Sequence, residues 1–227
     1  MFSWLALFTH MLLDAFTAYG TQLFSPFSNY RVSFDSVNIV DPVYTVPLLI
    51  GLFITIYYQK KKQQWSNANA IGICVSTLYL LFTFVHKQTI TADVEKELQT
   101  QQINYDAVKS IPVGVGNVNW YGVAKTDDTL YIGKYSRNDK MIFHSFPVNS
   151  HLLNGINADL AEQLKWFAQD FYVVAEDNGK VRLYNLQCDM QGVRTYGKYK
   201  APTAFYFEVE NKENGEFELS TGMHKKE

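Results

Sequence analysis

A histidine and an aspartate lie four residues apart near the start of the chain, in the segment His10-Met-Leu-Leu-Asp14. Residues i and i+4 share one face of an α-helix, so a helical segment brings these two side chains together. An imidazole and a carboxylate at this spacing could grip one divalent cation, with His10 and Asp14 as metal ligands. The alternative interpretation is a His–Asp hydrogen bond that orders helix packing. Two ligands also fall short of the three protein ligands that a catalytic zinc ion normally has.

The segment that carries this pair is apolar almost throughout. Four polar residues, Ser3, His10, Asp14 and Thr17, follow one another at intervals of 7, 4 and 3 and so form one stripe on a helix. Ionisable side chains inside a membrane helix are costly and by default mark a functional site that faces the bundle interior. A membrane location therefore favours a functional role for the pair more than the same motif in a soluble helix would.

Three apolar runs, at 2–16, 44–58 and 70–85, predict about three transmembrane helices in the first part of the chain. A spanning helix needs ~20 apolar residues, and flanking polar side chains can extend a shorter run by snorkelling to the interface. Charge supports a boundary after Ala92. Residues 1–92 carry five basic and three acidic side chains, whereas residues 93–227 carry fifteen and nineteen. We therefore predict a transmembrane helical region at 1–92 and a soluble domain at 93–227.

Orientation follows from the lysines Lys60, Lys61 and Lys62, which separate the second run from the third. Loops rich in lysine and arginine stay in the cytoplasm. This rule places the loop 17–43 and everything after Lys87 on the extracytoplasmic side of the membrane.

The soluble part predicts an α+β fold with antiparallel strands. Aromatic and polar residues alternate over 118–125, 129–136 and 140–146, between short polar turns, which is typical of a meander. Apolar residues at helical spacing predict a helix over 158–169. Two hairpins are expected, around Asn178-Gly179 and Asn214-Gly215. The polar stretch 93–102 predicts a short exposed helix.

Several other features carry weaker functional hypotheses. Cys74 and Cys188 lie in unlike parts of the chain, so no disulfide is expected, and the net charge of -2 does not support nucleic-acid binding. The glycines of the segment 112–117 lack the strand-to-helix context of a phosphate loop. Scattered histidines, His144, His151 and His224, make a poor metal set. Strand aromatics are expected to form a packed face rather than a ligand site, and they are Trp120, Tyr121, Tyr131, Tyr135, Phe143 and Phe146.

Two residues of the loop after the first run have open roles. Arg31 is the only basic residue before Lys60, and it could bind an anionic substrate group such as phosphate or anchor the loop at the interface. Asp41 could be a metal ligand, but its place before Pro42 favours an N-cap of the second helix.

Residues 9–49 resemble the YdjM-type family of membrane-bound metal-dependent hydrolases, whose motif is close to [ST]-H-x-x-x-D-x-x-T-x-x-G-x-x-L-x-x-P-[FW] followed by an arginine. The matching residues here are Thr9, His10, Asp14, Thr17, Gly20, Leu23, Pro26, Phe27 and Arg31. Larger relatives also carry an Ile-x-Asp-Pro-x-Tyr-Thr segment, which corresponds to Ile39, Asp41, Pro42, Tyr44 and Thr45.

The resemblance implies a multi-span protein of the bacterial inner membrane that hydrolyses its substrate with a divalent metal ion, zinc being one candidate. Family members also carry an earlier Pro-Asp-x-Asp segment and a His-Arg-Gly-x-[ST]-His-Ser motif, which this sequence lacks. We therefore expect that the chain lacks the N-terminal part of a family protein and that His10 and Asp14 are an incomplete ligand set. A site at the membrane surface implies a lipid or phosphoester substrate. The alternative hypothesis is a non-catalytic membrane-anchored binding module.

Overall fold

The structure is a computed structural model that describes residues 2–61, 67–177, 179–187, 194–196, 199–212 and 216–224. The chain divides into two compact units. The first comprises Met1–Ala92 together with Pro112–Trp120, and the second comprises Asp93–Ile111 together with Tyr121–Glu227. The excursion of Pro112–Trp120 into the first unit is a feature that composition along the chain did not predict.

The first unit is helical, with α1 at Phe2–Asp14, α2 at Pro42–Lys60 and the start of α3, which runs over Asn67–Thr100. Among the described residues, α2 and α3 are the two helices that are long and apolar enough to cross a bilayer. The 13 residues of α1 extend ~20 Å at 1.5 Å per residue, which is less than the ~30 Å of a hydrocarbon core. A third transmembrane helix therefore stays a prediction.

Helices α2 and α3 approach each other closely at two glycines. A Cβ atom added to Gly72 would lie 2.6 Å from the carbonyl oxygen of Pro47, and one added to Gly51 would lie 2.7 Å from that of Ala68. Backbone approach at small residues is the usual way in which membrane helices pack, because dispersion contacts drive their association. The hydroxyl of Ser76 also donates to the carbonyl oxygen of Tyr44 at 2.8 Å.

Helix α3 is longer than its apolar run. Its 34 residues extend ~51 Å and include most of the polar stretch 93–102, which the sequence predicted as a separate short helix. Residues 86–100 contain no glycine or proline, so nothing in the local sequence ends the helix at the change of polarity. In the second unit, Val94 and Leu98 are fully buried one turn apart.

The second unit contains two four-stranded antiparallel sheets. The first has the order β1-β2-β3-β4, with β1 at Ala107–Val113, β2 at Asn119–Lys125, β3 at Thr129–Lys134 and β4 at Phe143–Pro147. A 3₁₀ helix at Ser150–Gly155 and helix α4 at Ala158–Phe167 follow. The second sheet has the order β10-β9-β6-β5, with β5 at Tyr172–Asp177, β6 at Lys180–Asn185, β9 at Phe205–Asn211 and β10 at Phe217–Met223. Strands β7 at Arg194–Tyr196 and β8 at Tyr199–Ala201 form a separate pair.

The predicted α+β class with antiparallel strands is confirmed, and most strand positions agree with the sequence pattern. Strand β1 was missed, since its residues AVKSIPV show little alternation and include a proline. The tips of both predicted hairpins include residues outside the described ranges, Asn178 and 214–215 among them. Cys188, which the disulfide prediction concerned, also lies outside these ranges.

The expected aromatic core of the first sheet is only partly confirmed. Trp120 and Phe146 are buried, but the other four aromatic side chains remain half exposed. The fully buried positions of these strands are instead aliphatic, at Val123, Leu130 and Ile132. Val94 of α3 also packs against this sheet, where a Cβ atom added to Gly122 would lie 2.6 Å from Cγ1 of Val94.

Candidate functional site

The His10–Asp14 pair occupies the last turn of α1. Nε2 of His10 lies 3.4 Å from Oδ2 of Asp14, and the two side chains are 74% and 46% exposed. The i,i+4 spacing on a helix accounts for this geometry, as the sequence predicted. Beyond the helix end, the hydroxyl of Thr17 donates to the carbonyl oxygen of Asp14 at 2.8 Å. The pair is therefore exposed and does not face a helix-bundle interior among the described residues, contrary to the expectation from the sequence, and it stands on a capped helix terminus.

The segment after α1 folds back against its own beginning. Thr21 and Val32 form a two-way bridge, with N–O distances of 3.0 and 2.9 Å. The amide of Phe34 donates to the carbonyl oxygen of Ala15 at 2.7 Å. The hydroxyl of Ser33 donates to the carbonyl oxygen of Thr17 at 3.0 Å. These bonds hold residues 31–37 beside the end of α1, where the His–Asp pair lies.

A buried ion pair closes this fold, and sequence reasoning missed it. Nζ of Lys87 lies 3.2 Å from Oδ2 of Asp35, with the two side chains 15% and 3% exposed. The same ammonium group donates to the carbonyl oxygen of Phe34 at 2.7 Å, and Oδ1 of Asp35 accepts from the hydroxyl of Ser33. The scarcity of charge could have pointed to Asp35, because it is one of only three acidic residues in the first 92 residues.

Arg31 contacts the turn that follows α1. Its Nη2 group donates a hydrogen bond to the carbonyl oxygen of Tyr19, so the guanidinium lies in the same folded segment as the end of α1. The structure therefore brings His10 and Asp14 together as a pair and connects Arg31 to the backbone five residues beyond that pair.

Asp41 is the N-cap of α2, as predicted, with Pro42 at the first helical position. Its Oδ1 atom accepts from the backbone N–H of Val43 at 3.0 Å. Its Oδ2 atom accepts from the hydroxyl of Tyr79 on α3 at 2.7 Å. The carboxylate is buried, and both of its oxygens are engaged, which leaves the ligand interpretation without support.

The loop between β1 and β2 meets the same region of the first unit. The side chain of Asn117 donates to the carbonyl oxygen of Ser36 at 2.6 Å, and its Oδ1 lies 2.8 Å from Nδ1 of His86. The His86 ring stacks on Phe82 with centroids 5.3 Å apart and meets the edge of Trp120 at 5.8 Å. The sequence analysis assigned no contact to His86, whereas the structure makes it part of this partly buried polar cluster.

A second polar cluster lies on one face of the sheet β10-β9-β6-β5. Arg182 bonds Glu208 at 2.7 Å and also pairs with Asp177, and its guanidinium lies 4.6 Å from the ring centroid of Tyr206. Next to it, the hydroxyl of Tyr184 lies 3.0 Å from Nε2 of His224. Burial raises the pKa of Tyr184 to about 12. Burial first, and then the charge of Arg182, lower the pKa of His224.

The arrangement around α1 could hold a divalent cation through one imidazole nitrogen and one carboxylate oxygen. Across the part of the chain that the structure describes, no group of three or more His, Cys, Asp or Glu side chains is placed to hold a metal ion. The pair is therefore at most a partial metal site among these residues.

Comparisons with known proteins give a family match over the helical part and a longer match to a bacterial protein. Residues 1–90 match the family model described as YdjM inner membrane protein. A protein of Bacillus subtilis (strain 168) named "Uncharacterized protein YfhP" is 23% identical over 144 residues, which cover 63% of this chain and 41% of that protein. The chain thus matches about two fifths of the length of this relative. No solved structure matches the chain. The first 90 residues are accordingly similar to an inner-membrane protein family, as the sequence motif indicated.

Proposed function

We propose that the chain is a membrane-bound hydrolase that uses a divalent metal ion, with His10 and Asp14 as two of the ligands. The observation that carries this proposal is the exposed His–Asp pair, 3.4 Å apart, in a helix that is apolar at most of its other positions. Ionisable side chains within a membrane helix are costly in free energy, and by default they mark a functional site. Similarity of residues 1–90 to an inner-membrane family supports the membrane location.

The donor chemistry suits zinc or a similar ion, since imidazole nitrogen and carboxylate oxygen are both common zinc ligands. A bound divalent ion supplies hydroxide near neutral pH by lowering the pKa of a coordinated water molecule. A complete catalytic set needs at least one further protein ligand. In the proposal, the contacts of Ser33, Asp35 and Lys87 keep residues 31–37 beside the pair.

Arg31 is proposed to bind an anionic group of the substrate. A guanidinium has five N–H donors in a planar fork that matches phosphate or carboxylate oxygens. Its hydrogen bond to the carbonyl oxygen of Tyr19 holds it against the turn that follows α1. A lipid or phosphoester at the membrane surface is the substrate class that fits this combination. The extracytoplasmic position of the soluble domain belongs to the same proposal.

The test measures bound metal in the full chain, purified in detergent, loaded with Zn²⁺ and desalted before elemental analysis. The variant His10→Ala/Asp14→Ala should retain several-fold less zinc than the wild-type chain, because loss of even an outer-shell partner of a metal ligand weakens metal affinity by ~10–100-fold. The matched control, His144→Ala/Asp128→Ala, removes the same side-chain types from exposed positions of the second unit. Equal zinc binding by the two double variants would refute the ligand assignment.

A second candidate function is a non-catalytic, membrane-anchored binding module. The observation that favours it is the count of ligands, since the described residues place only two metal-binding side chains together at α1. In that case the wild-type chain itself retains no zinc after desalting, and His10 and Asp14 order the helix. The same measurement therefore separates the two candidates.

A further inference from the structure

The segment Pro112–Trp120, which comprises the β1–β2 loop at 114–118 and the adjoining strand ends, is uncharged and exposes two aliphatic side chains. Val115 is 55% exposed and Val118 is 74% exposed. Trp120 and Asn117, in contrast, are buried and anchor the loop. Single exposed apolar side chains are ordinary on a protein surface, so the meaning of these two depends on where the loop lies.

The loop is fixed to the start of α2 through the residues that precede the helix. The side-chain amide of Asn38 donates to the carbonyl oxygen of Gly114 at 2.8 Å. The N–H of Gly116 points to Oδ1 of the N-cap Asp41 at 3.4 Å. A Cβ atom added to Gly116 would lie 3.7 Å from Cγ2 of Val43 and 3.8 Å from Cγ2 of Val118. Val118 therefore lies at the level of the first turn of α2.

That turn must lie at the edge of the hydrocarbon region if α2 crosses the bilayer. The 19 residues of α2 extend ~28 Å, so the helix needs its whole length to span a ~30 Å core. Val43 and Val46 on its first turns are exposed, and so are Ile39 and Val40 just before it. The exposed valines of the loop thus continue the apolar surface of a helix that faces lipid.

Three backbone groups of the loop have partners within the first unit, as a position at this depth requires, and the N–H of Gly116 is one of them. Non-helical backbone at membrane depth is tolerated only when protein groups or water satisfy it. The carbonyl oxygen of Gly114 is bonded to Asn38, and the carbonyl oxygen of Asn117 accepts from the indole N–H of Trp120 at 3.0 Å. The Asn117 side chain is also bonded at both ends, to Ser36 and His86.

We propose that the β1–β2 loop is a lipid-contacting surface, in which Val115 and Val118 insert into the membrane interface beside the first turn of α2. The partner is the bilayer itself, since the loop is uncharged and continuous with the apolar surface of α2. This role is independent of the proposed metal chemistry, and it holds for either orientation of the chain.

The test uses spin labels on the full chain in vesicles of zwitterionic and anionic phospholipid, in a Cys74→Ser/Cys188→Ser background. Labels at Val115→Cys and Val118→Cys should show a ratio of oxygen to nickel-complex accessibility several-fold higher than a label at Asp128→Cys. Asp128 is the matched control because it is exposed in the turn between β2 and β3. Oxygen partitions into lipid and the nickel complex into water, so the ratio reports depth.

Two results would overturn the proposal. Nickel accessibility at 115 and 118 equal to that at 128 would place the loop in water. Low accessibility to both reagents, with an immobilised spectrum, would indicate a second copy or another protein against the loop instead of lipid.

Discussion

Removal of the Lys87 charge should destabilise the first unit strongly, because it takes an ion-pair partner away from a buried carboxylate, that of Asp35. In the variant Lys87→Met the apolar stem is retained and the ammonium is lost. Asp35 is 3% exposed in the native chain, and the charges lie 3.2 Å apart. At an effective dielectric constant of ~20, such a pair attracts by about 5 kcal/mol before the cost of desolvation is subtracted.

The expected net loss in the free energy of unfolding is about 3–5 kcal/mol, the range seen when one partner of a buried pair is removed. The variant also deprives the carbonyl oxygen of Phe34 of its donor at 2.7 Å. The assay is reversible unfolding of the full chain in mixed detergent micelles, followed by circular dichroism. The control is Lys96→Met, an exposed lysine of the same helix, for which we expect a change within about 0.5 kcal/mol.

A double-mutant cycle with Asp35→Asn isolates the pair. Asparagine keeps the shape of the side chain and tolerates the positive φ of 45° at this position. The double variant should lose no more stability than the more damaging single variant, because the ion pair can be lost only once. If the stability loss of the double variant equals the sum of the two single losses to within about 0.5 kcal/mol, the coupling is refuted. If Lys87→Met alone changes the free energy of unfolding by about 0.5 kcal/mol or less, the whole argument is refuted.

Two further predictions concern helix contact and pH. Gly72→Ala should cost about 1–3 kcal/mol in the same unfolding assay, because the new Cβ atom would meet the carbonyl oxygen of Pro47 at 2.6 Å and the helices must move apart. Since burial and Arg182 hold the pKa of His224 below its ordinary value of 6.5 in the folded chain, the folded state binds fewer protons than the unfolded state. Stability should therefore fall as pH drops below about 6.5, and His224→Gln should remove this part of the decline.

The predictions for Gly72 and His224 can each be checked against a control variant or a direct titration. Gly155→Ala is the matched control for Gly72, because an added Cβ atom there has no atom within 4 Å, and equal losses for the two variants would contradict the close approach of α2 and α3. For His224, an NMR titration midpoint at or above 6.5 would contradict the direction of the pKa shift, as would parallel pH curves of wild type and His224→Gln.

Local features of the structure were largely predictable from the sequence. The N-cap role of Asp41 followed from its place before Pro42, and α4 followed from the spacing of its apolar residues. The polar end of α3 was mistaken for a separate helix, since a change in polarity was taken as a boundary although no residue there stops a helix. Strand β1 was missed because its short pattern lacks alternation.

In the candidate site, too, contacts between residues near in the chain were predictable and contacts between distant residues were not. The His10–Asp14 pair needs only helical spacing, so its geometry was expected before any fold was known. The Asp35–Lys87 pair joins residues 52 apart in the chain, and the contact of Asn117 with His86 joins residues 31 apart. Nothing in the pattern of either segment indicates these partners.

The sequence by itself determined the helices, most strands, the helix cap and the possible metal pair, because each depends on the conformation of neighbouring residues and on their polarity. Only the tertiary structure decided that residues 31–37 fold back on α1, that Lys87 neutralises Asp35, and that Pro112–Trp120 joins the first unit. Such contacts depend on which distant segments the folded chain brings together, since burial and hydrogen bonding act through space rather than along the sequence.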